Sequence, residues 1–302
     1  MSQPNKNVTL FDIFNNIFFI LLSIGFVVPM LLVVIVSLTD QQSLLMNGYT
    51  FLPEKWSVDA YRYLLGSPDA VVRAYGVTVF VTVIGTIAAV LLVTMIGYSV
   101  SRPDFAYRRF IVILFLIPMF FHGGLVPTYI LVTKYLHLKD TLFALILPGL
   151  VSSFHILIIK GFLTKMPYEI IESAKVDGAG EFRIFFQIIV PLSAPVMATI
   201  GLFTAFGYWN EWMNGLLYID NPAFIPLQLL LVRVLHSIEF ILASIHSTGD
   251  NSIPGQLISM KDMPGEPIRM ALAVLAGGPM MFIFPFFQRY FVKGLTVGSL
   301  KG

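Results

Sequence analysis

The sequence predicts an all-α polytopic membrane protein with six transmembrane helices. Three observations carry that prediction. The chain is 57% hydrophobic and 12% charged, with a mean hydropathy of +0.82, whereas soluble domains carry roughly a quarter of their residues as charges. Six apolar segments reach the length of about 20 residues that a helix needs to cross a bilayer. Between the fourth and fifth of them lies a compact polar passage, "EIIESAKVDGAGEFRIFFQIIVPLSAP" (169–195).

The six segments are 17–38, 77–98, 110–132, 142–163, 195–218 and 270–288. The first follows a polar start and no small-residue cleavage site comes after it, so it is expected to be a retained span rather than a signal peptide. The third is interrupted by "PMFFHGGLVP" (118–127), and the fourth carries Pro148, Ser152, Ser153 and His155. Irregular helix at membrane depth is tolerated only against protein or a water-filled cavity. For the glycines alone, close helix packing is the simpler reading. The concentration of breaks in one span points to a cavity wall, on which His122 is a candidate. A seventh apolar segment, 223–245, holds Arg233, His236 and Glu239 near its centre, where charges are costly in a membrane. It is expected to be an amphipathic helix on the membrane surface or packed in an extramembrane loop.

Lys and Arg near the span ends orient the chain. Arg102, Arg108, Arg109, Lys165, Lys175 and Arg183 fall in two loops on one side, while the other side spreads its basic residues over greater length. Both termini and the 164–194 hairpin are therefore expected in the cytoplasm, with loops 39–76 and 219–269 outside.

The polar passage reads as helix, tight turn, helix. Pro167 suits a first helical turn, and Glu169 and Glu172 lie near the start, where carboxylates favour the helix dipole. "DGAG" ends the first helix, because Gly178 can take a positive φ without steric cost. "EFRIFFQIIV" is expected as a second amphipathic helix that stops at Pro191. An ordinary surface loop is the plainer alternative.

Several functions are excluded. A net charge of +2 and the lack of a Lys/Arg block argue against nucleic-acid binding, and the absence of cysteine removes disulfides and thiolate metal sites. No phosphate-binding lysine loop, paired metal-binding histidines or nucleophile elbow is present. No catalytic residue and no metal site are expected. An ion-coupled secondary transporter would need internal repeats and several midplane carboxylates, and only Glu211 stands out. In "GYWNEWMNGLLY" (207–218), Tyr208, Trp209, Asn210, Glu211 and Trp212 offer rings for the C–H faces of sugars and polar groups for their hydroxyls. Helical spacing would put Trp209 and Trp212 on a common face. An interfacial aromatic belt with a structurally paired Glu211 fits as well.

Glu172-Ser173-Ala174, Gly178 after three residues, then Ile188-x-Val190-Pro191 after nine more, resembles the coupling loop of ABC importer permeases, Glu-Ala-Ala-x3-Gly-x9-Ile-x-Leu-Pro. Ser173 and Val190 depart from that pattern. The aromatic stretch is similar to that of carbohydrate-type, MalG-like permeases. "MFFHGGLVPTY" (119–129) and "FPFFQRYFVKGLTVGSLKG" (284–302) resemble the LplC or YtcP type. The resemblance implies the type I ABC importer permease fold in a bacterial cytoplasmic membrane. It implies a transport domain over about 73–290, preceded by segment 1–72 and followed by a cytoplasmic tail at 291–302. It further implies docking on an ATP-hydrolysing subunit through Glu169, Glu172, Ser173, Ala174, Asp177, Gly178, Gly180 and Pro191. Its implied partners are a homologous second permease, two ATPase subunits that bind ATP and Mg, and an extracytoplasmic solute-binding protein. This chain itself would bind no cofactor. The implied cargo is an oligosaccharide, including uronate-rich ones such as alginate or pectin fragments; a peptide or amino acid is the alternative.

Overall fold

The computed structural model describes residues 10–66, 68–121, 123–247 and 265–298. Among them there is no strand; an isolated antiparallel bridge pairs Thr39 with Trp56. The chain divides into two compact units, 1–68 with 234–278 and 69–233 with 279–302.

The first unit opens with α1 (Leu10–Ser37), apolar all round, with only Val36 and Ser37 of its residues buried. A helix of that kind suits a lipid surrounding. The segment after it is folded rather than a bare loop. Asp40 caps α2 (Gln41–Asn47) by accepting from the Ser43 N–H, and pairs with Lys55 at 3.2 Å. The Ser37 hydroxyl lies 2.8 Å from that of Tyr61 on α3 (Asp59–Leu64).

The second unit is built on α4 (Pro68–Ser101), followed by α5 (Arg108–Phe120) and α6 (Leu125–Ile130), the last running on as a π-helical turn to Tyr135. Next come α7 (Leu142–Ile146), a 3-10 turn at Leu147–Gly149 and α8 (Ser153–Leu163). The hairpin follows as α9 (Glu169–Val176) and α10 (Glu181–Ile184), the latter extended by a π-helical turn (Phe185–Ile189) and α11 (Val190–Leu192). Then come α12 (Ala194–Trp209) and α13 (Met213–Tyr218). Two helices, α14 (Leu227–Ser247) and α15 (Gly265–Gly298), complete the described chain. The helix expected over 223–245 is thus α14, where Glu239 lies 3.5 Å from His236 and 3.9 Å from Arg269.

By length and composition α1 and α4 can each cross a membrane alone, and the number rises to as many as five if each of three bent helix pairs is one span rather than a re-entrant loop. At 1.5 Å per residue α4 is about 51 Å long, so its ends pass beyond the about 30 Å hydrocarbon core. The segment expected as the third span forms α5 and α6, bent by 116° at the Pro/Gly break, and the segment expected as the fourth forms α7 and α8, bent by 49°. The sixth lies within α15, part of whose side chains fall outside the described residues.

Two expectations are corrected. The hairpin's second helix does not stop at Pro191 but runs to Leu192 and turns by 80° into α12 at Ser193. The π turn opens the backbone just before Pro191, which relieves the clash between its ring and the preceding turn. The fifth segment is not continuous over 195–218: α12 ends at Trp209, and α13 restarts at Met213.

Candidate functional site

The hairpin presents one face outward. On α9, Ile171 and Ala174 turn inward into a cluster with Ile159, Ile184, Phe185 and Ile189, whereas Glu169, Glu172, Ser173 and Val176 face out. Val176 is 87% exposed, an apolar tip among polar neighbours. Ala174 is only 8% exposed, so it packs the hairpin's interior rather than its outer face. The turn is a Schellman arrangement: Ala179 N–H donates to the Ala174 carbonyl at 2.9 Å and Gly178 N–H to Lys175 at 3.0 Å. Gly178 has φ +77°, the left-handed conformation expected of the turn glycine. Asp177 and Gly180 flank it, exposed, and Gly180 keeps an ordinary φ of −70°. Pro191 lies at the far end of the second helix, on the surface.

A charge cluster joins this hairpin to the end of α4. The Arg102 guanidinium pairs with both Asp104 and Glu181, and Lys175 Nζ lies 3.0 Å from Asp104. The Arg102 hydrogen bond, aided by that of Lys175, holds the Asp104 carboxyl well below the usual carboxylate range. Hydrogen bonding to Asp104 raises Arg102 and Lys175 in turn. The sequence gives no sign of this cluster, because Arg102 and Asp104 stand 71 or more residues from Lys175 and Glu181 and the four form no motif.

The second location is a cavity of about 210 Å³ between the start of α8 and the end of α12. Ser152, His155, Thr204, Tyr208, Glu211 and Asn214 supply its polar lining, and Phe203 an aromatic one. Ser152 accepts the His155 N–H at 3.4 Å and caps α8. Glu211 Oε1 accepts the Asn214 N–H at 2.9 Å, which starts α13. That local bond competes with continuation of α12 and explains the interruption.

The aromatic residues therefore separate. Trp209 is 2% exposed, with its ring 6.4 Å from that of Tyr75, while Trp212, beyond the break, is 37% exposed. They share no helical face, contrary to the expectation from a continuous helix. Asn210 ends α12 and donates to the Phe206 carbonyl at 2.9 Å. Tyr208 reaches the cavity, and its hydroxyl donates to the Ile146 carbonyl. His122 lies outside the described residues. Ser152 and His155 were visible as polar residues in the broken fourth span, but only the fold brings them to Glu211. Among the described residues no three His, Asp or Glu side chains converge to hold a metal.

The profile of the family described as "Binding-protein-dependent transport system inner membrane component" matches residues 82–297. The chain is 37% identical over 293 residues to the polygalacturonan/rhamnogalacturonan transport system permease protein YtcP of Bacillus subtilis (strain 168), covering 97% of this chain and 99% of that one. Protein LplC of the same organism is 35% identical, covering 97% and 95%. A solved structure of a bacterial ABC transporter involved in import of the acidic polysaccharide alginate contains a chain of the same fold. Its TM-score is 0.77 at 22% identity, covering 96% of this chain and 100% of that one.

Proposed function

Because the chain belongs to the family of binding-protein-dependent transport system inner membrane components, we propose that it is a permease subunit of an ATP-driven oligosaccharide importer. The observation that carries the carbohydrate assignment is the 37% identity, over nearly the full length of both chains, to a permease named for polygalacturonan and rhamnogalacturonan. The cargo would be an oligosaccharide rich in uronate, such as a pectin or alginate fragment, delivered by an extracytoplasmic binding protein. ATP and Mg would be bound by two partner ATPase subunits, and a homologous second permease would complete the pathway.

In this reading six spans cross the membrane with both termini and the hairpin in the cytoplasm. Segment 1–72 precedes the transport domain of about 73–290, and 291–302 forms a tail. The outward face of α9, with Glu169, Glu172, Ser173, Val176 and Asp177, seats in the ATPase, and Gly178 shapes the turn behind it. The cavity at Ser152, His155, Tyr208 and Glu211 lies along the substrate path, and Asn210 and Trp212, on either side of Glu211 in the chain, belong to the same path.

The test is reconstitution with the neighbouring transporter subunits. The ATPase should copurify with this chain, and proteoliposomes should import oligogalacturonides when ATP and the binding protein are supplied. Uptake of peptides in place of any oligosaccharide would overturn the substrate assignment. Single cysteines are easily read in this cysteine-free chain: Ser57→Cys should label from outside and Ala179→Cys only from the cytoplasm. The reverse pattern would overturn the orientation.

A further inference from the structure

The hairpin's helices are too short to hold themselves. Eight residues of α9 make about 12 Å of helix, and isolated helices of that length are marginal in water. Whatever displaces the hairpin must act through its attachment to the rest of the chain. Part of that attachment is apolar: Ile171, Ala174, Ile184 and Phe185 pack with Tyr98 and Val100 of α4. Apolar contact resists separation but has no direction, so it permits sliding.

The directional part converges on one side chain. Arg102, just past the end of α4, has a side chain 11% exposed. Its Nε donates to Asp104 Oδ1 at 2.9 Å, and its other nitrogens reach Asp104 Oδ2, Glu181 Oε2 and, at 3.2 Å, the Tyr98 hydroxyl. That hydroxyl donates to Glu181 at 3.3 Å, and the guanidinium also lies 5.5 Å from the Tyr98 ring centre. Lys175 closes the cluster from α9, 3.0 Å from Asp104 and 3.7 Å from Glu181. Two cations and two carboxylates balance, and a planar fork with paired donors fixes angles as well as distances.

We propose that Arg102 is a positioning residue that locks the hairpin to α4, so that the two move as one body when the ATPases close. The proposal rests on the reading of the hairpin as the ATPase contact. A displacement of α9 then reaches the membrane end of α4 instead of being absorbed by sliding at the loops.

The direct test places spin labels at Arg183→Cys, on α10, and Val79→Cys, on the exposed side of α4, in the assembled transporter. Their distance should be unchanged between nucleotide-free and vanadate-trapped states, and Arg102→Ala should make it change or broaden. In proteoliposomes Arg102→Ala should lower oligogalacturonide import per ATP hydrolysed by about tenfold, a usual size for a coupling between sites, with the ATPase still copurifying. Arg102→Lys, which keeps the charge without the fork, should fall between. An Arg102→Cys, Glu181→Cys pair should regain coupling once bridged by a short bifunctional thiol reagent. A constant label distance in Arg102→Ala, or loss of ATPase copurification together with import, would overturn the proposal. The docking reading fails separately, if Val176→Asp on the outer face leaves copurification intact.

Discussion

The Tyr208 hydroxyl donates a 2.8 Å hydrogen bond to the carbonyl of Ile146, 62 residues away. The chain tightens just after it, with Leu150 N–H bonded to Leu147 in a 3-10 turn and Pro148 offering no N–H. In hydrocarbon an unpaired backbone group is expensive. The bond therefore lets α7 break beside the cavity, and places the Tyr208 ring between Gly85 and Gly149.

Tyr208→Phe should destabilise the protein by about 1–3 kcal/mol, since it strands a buried acceptor. Gly85→Ala should cost about 1–3 kcal/mol by overpacking, because its Cβ would lie 2.7 Å from the Tyr208 ring. Thermal midpoints in detergent check both. Wild-type stability in Tyr208→Phe would show that water replaces the hydroxyl.

Gly178→Val forces a branched side chain into φ +77°, at about 1–2 kcal/mol for the backbone alone. The variant should insert and express but lose ATPase copurification. Gly180→Ala, with an ordinary φ and open space around it, should leave the hairpin's fold unchanged. Retained copurification in Gly178→Val would refute the role given to the turn.

Trp209→Ala removes a buried ring and should cost about 3–5 kcal/mol, seen as a loss of folded protein. Trp212→Ala, on an exposed ring, should change stability by less than about 0.5 kcal/mol and lower uptake at low substrate concentration. Glu211→Gln keeps an acceptor for the Asn214 N–H, whereas Glu211→Ala removes it at about 1 kcal/mol. Normal uptake in Trp212→Ala and Glu211→Gln would remove both from the substrate path.

The charge cluster should be indifferent to pH over a wide middle range. Asp104 is shifted down, so its contribution is present above the ordinary 3.8 and is lost as pH falls below that toward its folded value. Lys175 is shifted up, so its contribution is present below 10.5 and is lost as pH rises through its folded value. Hydrogen exchange of the 169–190 amides should therefore stay slow from roughly pH 5 to 9, after correction for intrinsic rates, and quicken in acid. A transition near neutrality would implicate another group.

Composition and apolar run length determined a helical membrane protein from the sequence alone, because a bilayer admits few structures and the helix is the one such runs make. Local spacing determined the hairpin too: the Glu172, Gly178 and Pro191 pattern is contained within about twenty residues, and a Schellman turn needs only its own backbone. Where the expectation failed, distant groups or local competition intervened. The continuous fifth helix was lost to the Glu211 bond to Asn214, and the second hairpin helix ran past Pro191 through a π turn. Only the tertiary structure could bring Arg102 to Glu181, or line one cavity with Ser152, His155 and Glu211, since these groups stand dozens of residues apart and leave no period or motif to read. Local sequence sets what a segment prefers; which distant polar groups become neighbours is decided by the packing of the helices that carry them.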